Sequence, residues 1–255
     1  MKTNEVEFIN TITVSPILNT YKSEPKMKNE LTESDFLGLV VFRRKVKILN
    51  IINLMAKRTM DIIGAIIGII LMIPITIGIA IAKTVLKDKG PIFYSHTRIG
   101  KNGKHFKMYK YRSMCVDADE KLKEILINDE EARKEWETTQ KLQNDPRVTR
   151  IGKFLRKTSL DEFPQFINVL KGEMSLVGPR AVVDGEIEKF GLLKNKVLSV
   201  KPGITGRWAA NGRSDISYEE RVAMEAAYVD DFSIVQDIKI LFKTIACVLK
   251  KEGAV

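Results

Sequence analysis

A run of 21 residues without a charged side chain, residues 62–82, constrains this chain more than any other feature of its sequence. As an α-helix the run would be about 32 Å long, at a rise of about 1.5 Å per residue, which is enough to cross the hydrocarbon core of a bilayer. Pro74 lies in its second half. Because proline lacks an N–H and clashes with the carbonyl four residues earlier, it favours a break in the helix there.

Basic residues border this apolar run on both sides. Lys57 and Arg58 precede it, and Lys83, Lys87 and Lys89 follow it. Lysine and arginine beside a membrane segment favour the cytoplasmic side, and here both ends carry them. The segment is therefore either a single kinked span or a re-entrant segment that enters one leaflet, turns at its proline and returns. The apolar run alone leaves both arrangements open.

The net charge of +10 is concentrated around the apolar run. Residues 1–56 carry a net charge of +2, residues 57–113 carry +9 and residues 114–255 carry −1. A basic border beside a membrane segment indicates attraction to anionic lipid headgroups or to a phosphate-bearing ligand. No recognisable nucleic-acid-binding motif accompanies the charge, so we expect no nucleic-acid partner.

The sequence divides into three parts. Residues 1–55 form an extension whose basic cluster at 43–47 and apolar residues at 48–55 are typical of a helix at a membrane surface or of an ordinary core helix. Residues 56–89 hold the membrane segment and its flanks. Residues 90–255 form the main body, where turn signals at 90–91 and 100–103 frame a β-hairpin. Within this body we predict one charged helix over 117–143 and an amphipathic helix over 238–250, on the core or at the membrane surface.

Two adjacent carboxylates, Asp161 and Glu162, are the strongest candidates for chemistry. Ser159 and Glu162 have the spacing of a capping box, and Pro164 is tolerated only near the start of a helix. The pair is therefore predicted at or just before a helix N-terminus, where the helix dipole favours ionised carboxylates. On spacing alone, an ordinary charged first turn is the favoured explanation of the pair, because adjacent carboxylates are common.

Basic residues and glycines around this pair favour chemistry. Five arginines and lysines lie between positions 147 and 157, and glycine–arginine clusters follow at 178–180, 203–207 and 212–213. Arginine forks match phosphate oxygens, and glycines let backbone N–H groups approach an anion. Carboxylates that could hold Mg²⁺ among phosphate-binding arginines are what phosphoryl transfer requires.

Over residues 56–251 the sequence resembles the bacterial sugar transferases, the monotopic phosphoglycosyl transferases that act on polyprenyl phosphate. The motifs that carry this resemblance are Lys57-Arg58 with Asp61 before the proline-containing apolar run, Gly90-Pro91-Ile92-Phe93 with Arg98 and Gly100, residues 106–114, residues 145–152, Ser159-Leu160-Asp161-Glu162, Gly178-Pro179-Arg180, residues 201–206 and Asn211-Gly212-Arg213. Their order along the chain is more specific than any one of them.

The resemblance implies a reaction and a place for it. Such enzymes move a sugar-1-phosphate from a nucleoside diphosphate sugar, usually a UDP-sugar, onto polyprenyl (undecaprenyl) phosphate, which releases UMP. This is the first membrane step of cell-surface glycan biosynthesis, on the cytoplasmic face of the bacterial inner membrane. Asp161 would be the nucleophile that forms a covalent phosphosugar intermediate, and Glu162 would help Asp161 hold Mg²⁺.

The resemblance also implies an architecture and a set of substrate contacts. We expect a mainly α-helical chain with a small β-hairpin, a re-entrant membrane helix broken at Pro74, surface-lying amphipathic helices and a cytoplasmic catalytic body. The predicted substrate-binding residues are Arg98, Lys110, Arg112, Arg147, Arg156, Arg180, Arg207 and Arg213. Membrane lipids are further expected partners, and a homo-oligomer is left open.

Three positions depart from the pattern of the family. Ala181 replaces the second proline of Gly-Pro-Arg-Pro, His96 replaces a glutamine, and Arg207 replaces an apolar residue after Gly-Ile-Thr-Gly. These departures leave the identity of the donor sugar undetermined. The competing hypotheses are a membrane-anchored interaction protein without catalysis and a protein that only binds nucleotide sugars.

Overall fold

The computed structural model describes residues 33–139, 142, 144–211 and 216–250, and the side chains of 51–137, 142, 144–211 and 216–247. Most of residues 1–55 and the predicted Arg213 lie outside these ranges. The helices are α1 (Glu33–Val85), α2 (Ala118–Asn128), α3 (Glu130–Thr139), α4 (Arg150–Lys157), α5 (Gln165–Lys171), α6 (Asp184–Ile187), α7 (Lys194–Leu198), α8 (Tyr218–Asp230) and α9 (Ile234–Lys250). The strands are β1 (Phe93–Ile99), β2 (His105–Tyr111), β3 (Ser175–Val177) and β4 (Gly203–Thr205), and short 3-10 turns cover Lys101–Gly103, Leu160–Glu162 and Glu188–Leu193. The predicted mainly α-helical fold with a small antiparallel hairpin is confirmed.

Helix α1 contains the whole apolar run and continues through Pro74 without interruption. Its part from Ile51 to Val85 is long and apolar enough to cross a membrane, by length and composition. The predicted break at Pro74 is therefore not observed. The nearby Thr76 hydroxyl donates to the Met72 carbonyl at 2.7 Å. The helix also crosses the predicted boundary between residues 55 and 56, and the three-part division stays a prediction.

The two faces of α1 have different environments. One face packs on the rest of the protein along most of the apolar run, with Asp61, Ala65 and Gly68 buried near one end and Ile79 near the other. The opposite face exposes large apolar side chains, and eight of them are Ile63, Ile66, Ile67, Ile70, Leu71, Ile73, Ile77 and Ile81. Packing on one side and apolar exposure on the other indicate a helix bounded by protein and by lipid.

The hairpin β1–β2 forms as its turn residues predict. The connection at Lys101–Gly103 places Asn102 and Gly103 at positive φ, which these two residue types accept readily. The register pairs Tyr94 with Lys110 and Arg98 with Phe106. Since side chains alternate between the faces of a strand, Lys110 and Arg98 share one face of the hairpin.

The charged segment predicted as one helix over 117–143 is instead split. Helix α2 ends at Asn128, with Asp129 in extended conformation, and α3 begins at Glu130. Helix α2 contains no buried residue, so little tertiary packing favours a single straight helix over two. By contrast, α8 begins with a complete capping box of Ser217 and Glu220 that the sequence reading did not identify.

Candidate active site

The two candidate carboxylates lie on a 3-10 turn, Leu160–Glu162, between α4 and α5. The predicted capping box is wrong, because Ser159 adopts a left-handed conformation with φ 55° and its side chain caps no N–H. That conformation turns the chain after α4 and places Asp161 and Glu162 just ahead of α5. The pair therefore lies just before a helix N-terminus, as predicted, although the local geometry differs from the predicted capping box.

Lys110 of β2 faces both carboxylates. Its Nζ lies 2.8 Å from Glu162 Oε1 and 3.6 Å from Asp161 Oδ2. The Asp161 side chain is 13% exposed and that of Glu162 is 34% exposed. Burial raises the pKa of Asp161 above its usual value, the neighbouring Glu162 raises it further, and Lys110 and Arg156 oppose both effects. The result is a partly desolvated carboxylate beside an ammonium group, which suits a nucleophile that must be charged and weakly solvated.

Two predicted arginines lie close to this centre or to its hairpin. Arg156 of α4 donates from Nε to Ser113 Oγ at 3.0 Å, and its charge acts on Asp161. Arg112 follows β2, and its guanidinium lies 5.5 Å from the ring centre of Tyr94. The Nε atom of Arg112 is buried and has no hydrogen-bond partner in the described part of the chain.

Arg98 and Arg180 form a second cluster at the other end of the hairpin. Arg98 donates from Nη1 to the Ala181 carbonyl at 3.3 Å, and burial and the charge of Arg180 lower its pKa. The guanidinium of Arg180 stacks over Trp208 at 5.6 Å. Arg221, which no sequence pattern singled out, stacks over the same ring at 4.8 Å. The ring of Trp208 thus contacts two guanidinium groups from distant parts of the sequence.

Glu225 of α8 bonds to the backbone of the Arg180 segment. Its Oε1 accepts the backbone N–H of Arg180 at 3.1 Å, and the residue is 1% exposed. Burial raises the pKa of Glu225 to about 7, although the bond from Arg180 and the charge of Arg221 lower it. The sequence offered no signal for this role, since Glu225 sits among other charged residues of an ordinary helix.

The two remaining predicted arginines in the described ranges are paired with acidic residues. Arg147 donates from Nε and Nη2 to the two oxygens of Asp145, at 2.8 and 2.7 Å, and lies over Trp136. Arg207 donates to Asp231 at 2.8 Å. Neither forms a hydrogen bond or an ion pair with Asp161 among the described residues, so their substrate-binding role stays a prediction.

The glycines of the glycine–arginine clusters serve close backbone packing. Gly178 donates its N–H to the Thr205 carbonyl at 2.9 Å, and Gly203 donates to the Pro179 carbonyl at 2.8 Å. A Cβ atom on Gly203 would lie 2.1 Å from the Gly178 nitrogen. The interpretation that these glycines open N–H groups to an anion is therefore wrong for Gly178 and Gly203, whose N–H groups are already bonded.

Side chains of α1 form hydrogen bonds with α5 and β3, the two elements next to the candidate site. Arg58 donates to the carbonyls of Val169 and Leu170 at 2.8 and 2.9 Å, which caps the last turn of α5. Asp61 accepts from Ser175 Oγ at 2.8 Å and from the Leu176 N–H at 2.9 Å. Helix α5 follows the carboxylate turn, and β3 leads into the Arg180 segment, so one helix positions both.

Lys57 extends this contact to the C-terminal helices. Its Nζ donates to the Val177 carbonyl at 2.9 Å and to Asp237 at 2.6 Å, and Tyr228 donates to the second oxygen of Asp237 at 2.8 Å. Lys57, Arg58 and Asp61 had been noted only as a motif at the border of the apolar run. Their role was missed because all their partners lie more than 100 residues away.

Comparison with known proteins shows the family of this chain. The family model described as bacterial sugar transferase matches residues 52–251. The UDP-galactose-lipid carrier transferase of Erwinia amylovora is 47% identical over 221 residues, which cover 84% of this chain and 46% of that protein. The undecaprenyl-phosphate galactose phosphotransferase of Salmonella typhimurium is 46% identical with the same coverage, and the exopolysaccharide production protein ExoY of Rhizobium meliloti is 44% identical over 78% of this chain and 88% of its own length. The chain thus spans about half the length of the first two and most of the third, and it belongs to the bacterial sugar transferase family.

Proposed function

We propose that this protein transfers a sugar-1-phosphate from a nucleoside diphosphate sugar, a UDP-sugar, to undecaprenyl phosphate. The observation that carries the proposal is the half-buried Asp161 beside Glu162 and Lys110 on the turn ahead of α5. Relatives named for undecaprenyl-phosphate galactose and glucose transfer support galactose or glucose as the sugar. The exopolysaccharide and capsule relatives support a role in cell-surface glycan synthesis.

The reaction proceeds through two displacements at one phosphorus atom. A carboxylate oxygen of Asp161 attacks the β-phosphorus of the donor, and the bond to the oxygen that bridges to the α-phosphate breaks, so UMP leaves with that electron pair. An oxygen of undecaprenyl phosphate then attacks the aspartyl phosphosugar, and the bond between phosphorus and the Asp161 oxygen breaks. Asp161 is regenerated as a carboxylate, and the product is a lipid-linked diphosphosugar.

The residues around Asp161 have separate roles in these steps. Lys110 favours the ionised form of Asp161 and provides positive charge close to the reacting phosphate. Arg156 lies within electrostatic reach of the same carboxylate and can bind phosphate oxygens, as can Arg112. Arg98 lies on the same face of the hairpin as Lys110, and Arg180 lies beside the hairpin. Both extend the positive charge along the donor.

Asp161 and Glu162 fit a magnesium ion that is shared with the substrate. No group of three or more histidine, cysteine or carboxylate side chains is assembled in the part of the chain that the structure describes. Mg²⁺ commonly binds through one or two carboxylates together with substrate phosphates, which matches this pair. When bound, the ion would neutralise charge on the diphosphate during transfer.

We further propose that in the membrane this segment is re-entrant, although the structure has α1 as one uninterrupted helix, and that both of its ends and the catalytic body lie on the cytoplasmic face. The body contacts α1 from Lys57, which bonds the Val177 carbonyl, to Ile79 and Ala82, which pack in one cluster with Tyr111 and Leu155. A helix spanning perpendicular to the bilayer would draw this polar body into the hydrocarbon. An impermeant thiol reagent tests this in a Cys115→Ser, Cys247→Ser variant with one new cysteine near residue 10. Labelling only after lysis supports the proposal, and labelling of intact cells contradicts it.

Release of UMP from UDP-galactose and UDP-glucose tests the reaction, with undecaprenyl phosphate and Mg²⁺ present. Wild-type protein given donor alone should gain the mass of one phosphosugar, and Asp161→Asn should show neither the adduct nor turnover. Glu162→Gln should retain the fold and lose most of the rate. Donor binding without UMP release by the wild type would instead support the non-catalytic, sugar-nucleotide-binding alternative.

A further inference from the structure

A basic cavity beside α9 contains none of the residues to which the proposed transfer steps assign a role. It opens between α9 and the segment 207–211, with a volume of about 400 Å³, which lies within the usual range of ligand pockets. We call it the α9 cavity. The residues that line it and matter here are Arg207, Asn211, Val235, Gln236, Lys239 and Lys243.

A stripe of exposed apolar side chains runs along α9 next to this cavity. Val235, Ile238, Phe242 and Ile245 recur at spacings of three and four residues and are 58%, 42%, 71% and 56% exposed. The opposite face is anchored in the protein, where Thr244 and Thr205 share a hydrogen bond of 2.7 Å. Such a continuous apolar stripe indicates a contact with lipid or with another apolar surface.

The α9 cavity contains positive charge that its own residues do not neutralise. Arg207 is paired with Asp231. Lys243 bonds only to the neutral amide oxygen of Asn211, and Lys239 has no hydrogen-bond or ion-pair partner in the part of the chain that the structure describes. Two ammonium groups therefore face the cavity without a matching carboxylate, and an anionic ligand would complement them.

The position of the two lysines relative to the stripe indicates a lipid as the source of that anion. At about 100° per residue, Lys239 and Lys243 both fall on one border of the stripe. Lysine side chains at such a border lay their methylene groups along the apolar surface and present the ammonium at headgroup level. A free phosphate ion would use the charges but would leave the stripe uncovered.

Contact with α1 places α9 next to the apolar run. Asp237, on the buried face of α9, pairs with Lys57 of α1 at 2.6 Å. Helix α9 is therefore attached to the helix that exposes the row of isoleucines and Leu71 along the apolar run. A lipid that covers the stripe of α9 would belong to the same bilayer as the lipid around α1.

We propose that the α9 cavity binds the anionic headgroup of a bilayer phospholipid. Lys239 and Lys243 contact the phosphate, and the apolar stripe contacts the acyl chains. The site is separate from Asp161, so the proposal stands or fails independently of the transfer reaction.

Native mass spectrometry of the full chain in a neutral detergent tests this with phosphatidylglycerol as the probe. Each lysine at an anionic surface contributes about fivefold in affinity, so Lys239→Gln with Lys243→Gln should weaken binding about 25-fold. The matched control, Lys104→Gln with Lys123→Gln, removes two exposed lysines elsewhere and should stay within about twofold of wild type. Asp161→Asn should bind phosphatidylglycerol as wild type does.

Several results would overturn the proposal. These are unchanged affinity in the double variant, equal binding of phosphatidylcholine, displacement of the lipid by millimolar inorganic phosphate, and displacement by equimolar undecaprenyl phosphate. The last would make the cavity part of the acceptor site. If the double variant does not fold, Lys239→Gln alone decides, because this lysine has no protein partner to lose, and about fivefold weaker binding is expected.

Discussion

Replacement of Glu225 by glutamine tests how the Arg180 segment is held. Glu225 is almost fully buried, one of its oxygens accepts the Arg180 N–H, and the other has no hydrogen-bond partner among the described residues. Its pKa of about 7 lies above the ordinary value of 4.5, because burial disfavours the charged form more than Arg180 and Arg221 stabilise it. Glutamine keeps an acceptor oxygen at this position and cannot ionise.

The magnitude follows from the pKa difference. Between about pH 4.5 and pH 7 the folded protein binds more protons at Glu225 than the unfolded chain does, so the free energy of unfolding falls as the pH rises. At about 1.36 kcal/mol per pKa unit, the stabilisation present below pH 4.5 and lost by pH 7 is about 3 kcal/mol. Glu225→Gln should therefore be about 3 kcal/mol more stable than wild type at pH 8 and nearly equal to it at pH 4.5.

Urea unfolding in detergent, followed by circular dichroism at pH 5 and pH 8, measures this difference. Glu219→Gln changes an exposed carboxyl group on the same helix and should keep the pH dependence of the wild type. If Glu225→Gln keeps that dependence as well, or unfolds more easily than wild type at pH 8, Glu225 does not carry the buried charge that this reasoning requires.

Three further changes have defined outcomes. Lys110→Met removes the ammonium that lowers the pKa of Asp161, so the acid limb of the pH profile of UMP release should move to higher pH. The value of kcat/KM at pH 7 should fall at least about tenfold, and an unmoved acid limb would contradict this role. Gly203→Ala places a Cβ 2.1 Å from a backbone nitrogen and should lower the free energy of unfolding by more than about 3 kcal/mol or prevent folding. The control Gly185→Ala has no atom within 4 Å of the new Cβ and should change this free energy by less than about 1 kcal/mol. Asp61→Ala leaves two buried donors unpaired and should lower the free energy of unfolding by about 2–5 kcal/mol, and a melting temperature equal to that of wild type would show that these bonds are dispensable.

Features that depend on local chemistry were predictable from the sequence. The β-hairpin forms because Asn102 and Gly103 accept the backbone conformation of its turn. The carboxylate pair lies ahead of α5 because Pro164 is tolerated only near the start of a helix. The capping box at Ser159 failed even though its spacing was correct. The tight connection from α4 requires a left-handed residue there, and this requirement outweighs the local preference for a cap.

Features that depend on contacts between distant segments were not predictable in the same way. The glycines at 178 and 203 carried a spacing that suggests anion binding, but the reason for them is a crossing of two backbones 25 residues apart in sequence. Arg221 and Glu225 reach the Arg180 segment only because α8 packs there. Nothing in the local sequence separates such residues from ordinary surface charges.

The attachment of α1 to the catalytic elements limits how this protein could be made water-soluble. A truncation that begins after Val85 would remove the cap on Val169 and Leu170 and the carboxylate that binds β3, so it would delete structural parts of the site together with the membrane anchor. Polar residues at the lipid-facing positions of α1, such as Ile63, Ile66 and Ile70, would spare the side chains that hold the site. For this fold, solubility has to be engineered on one face of a helix that must be kept.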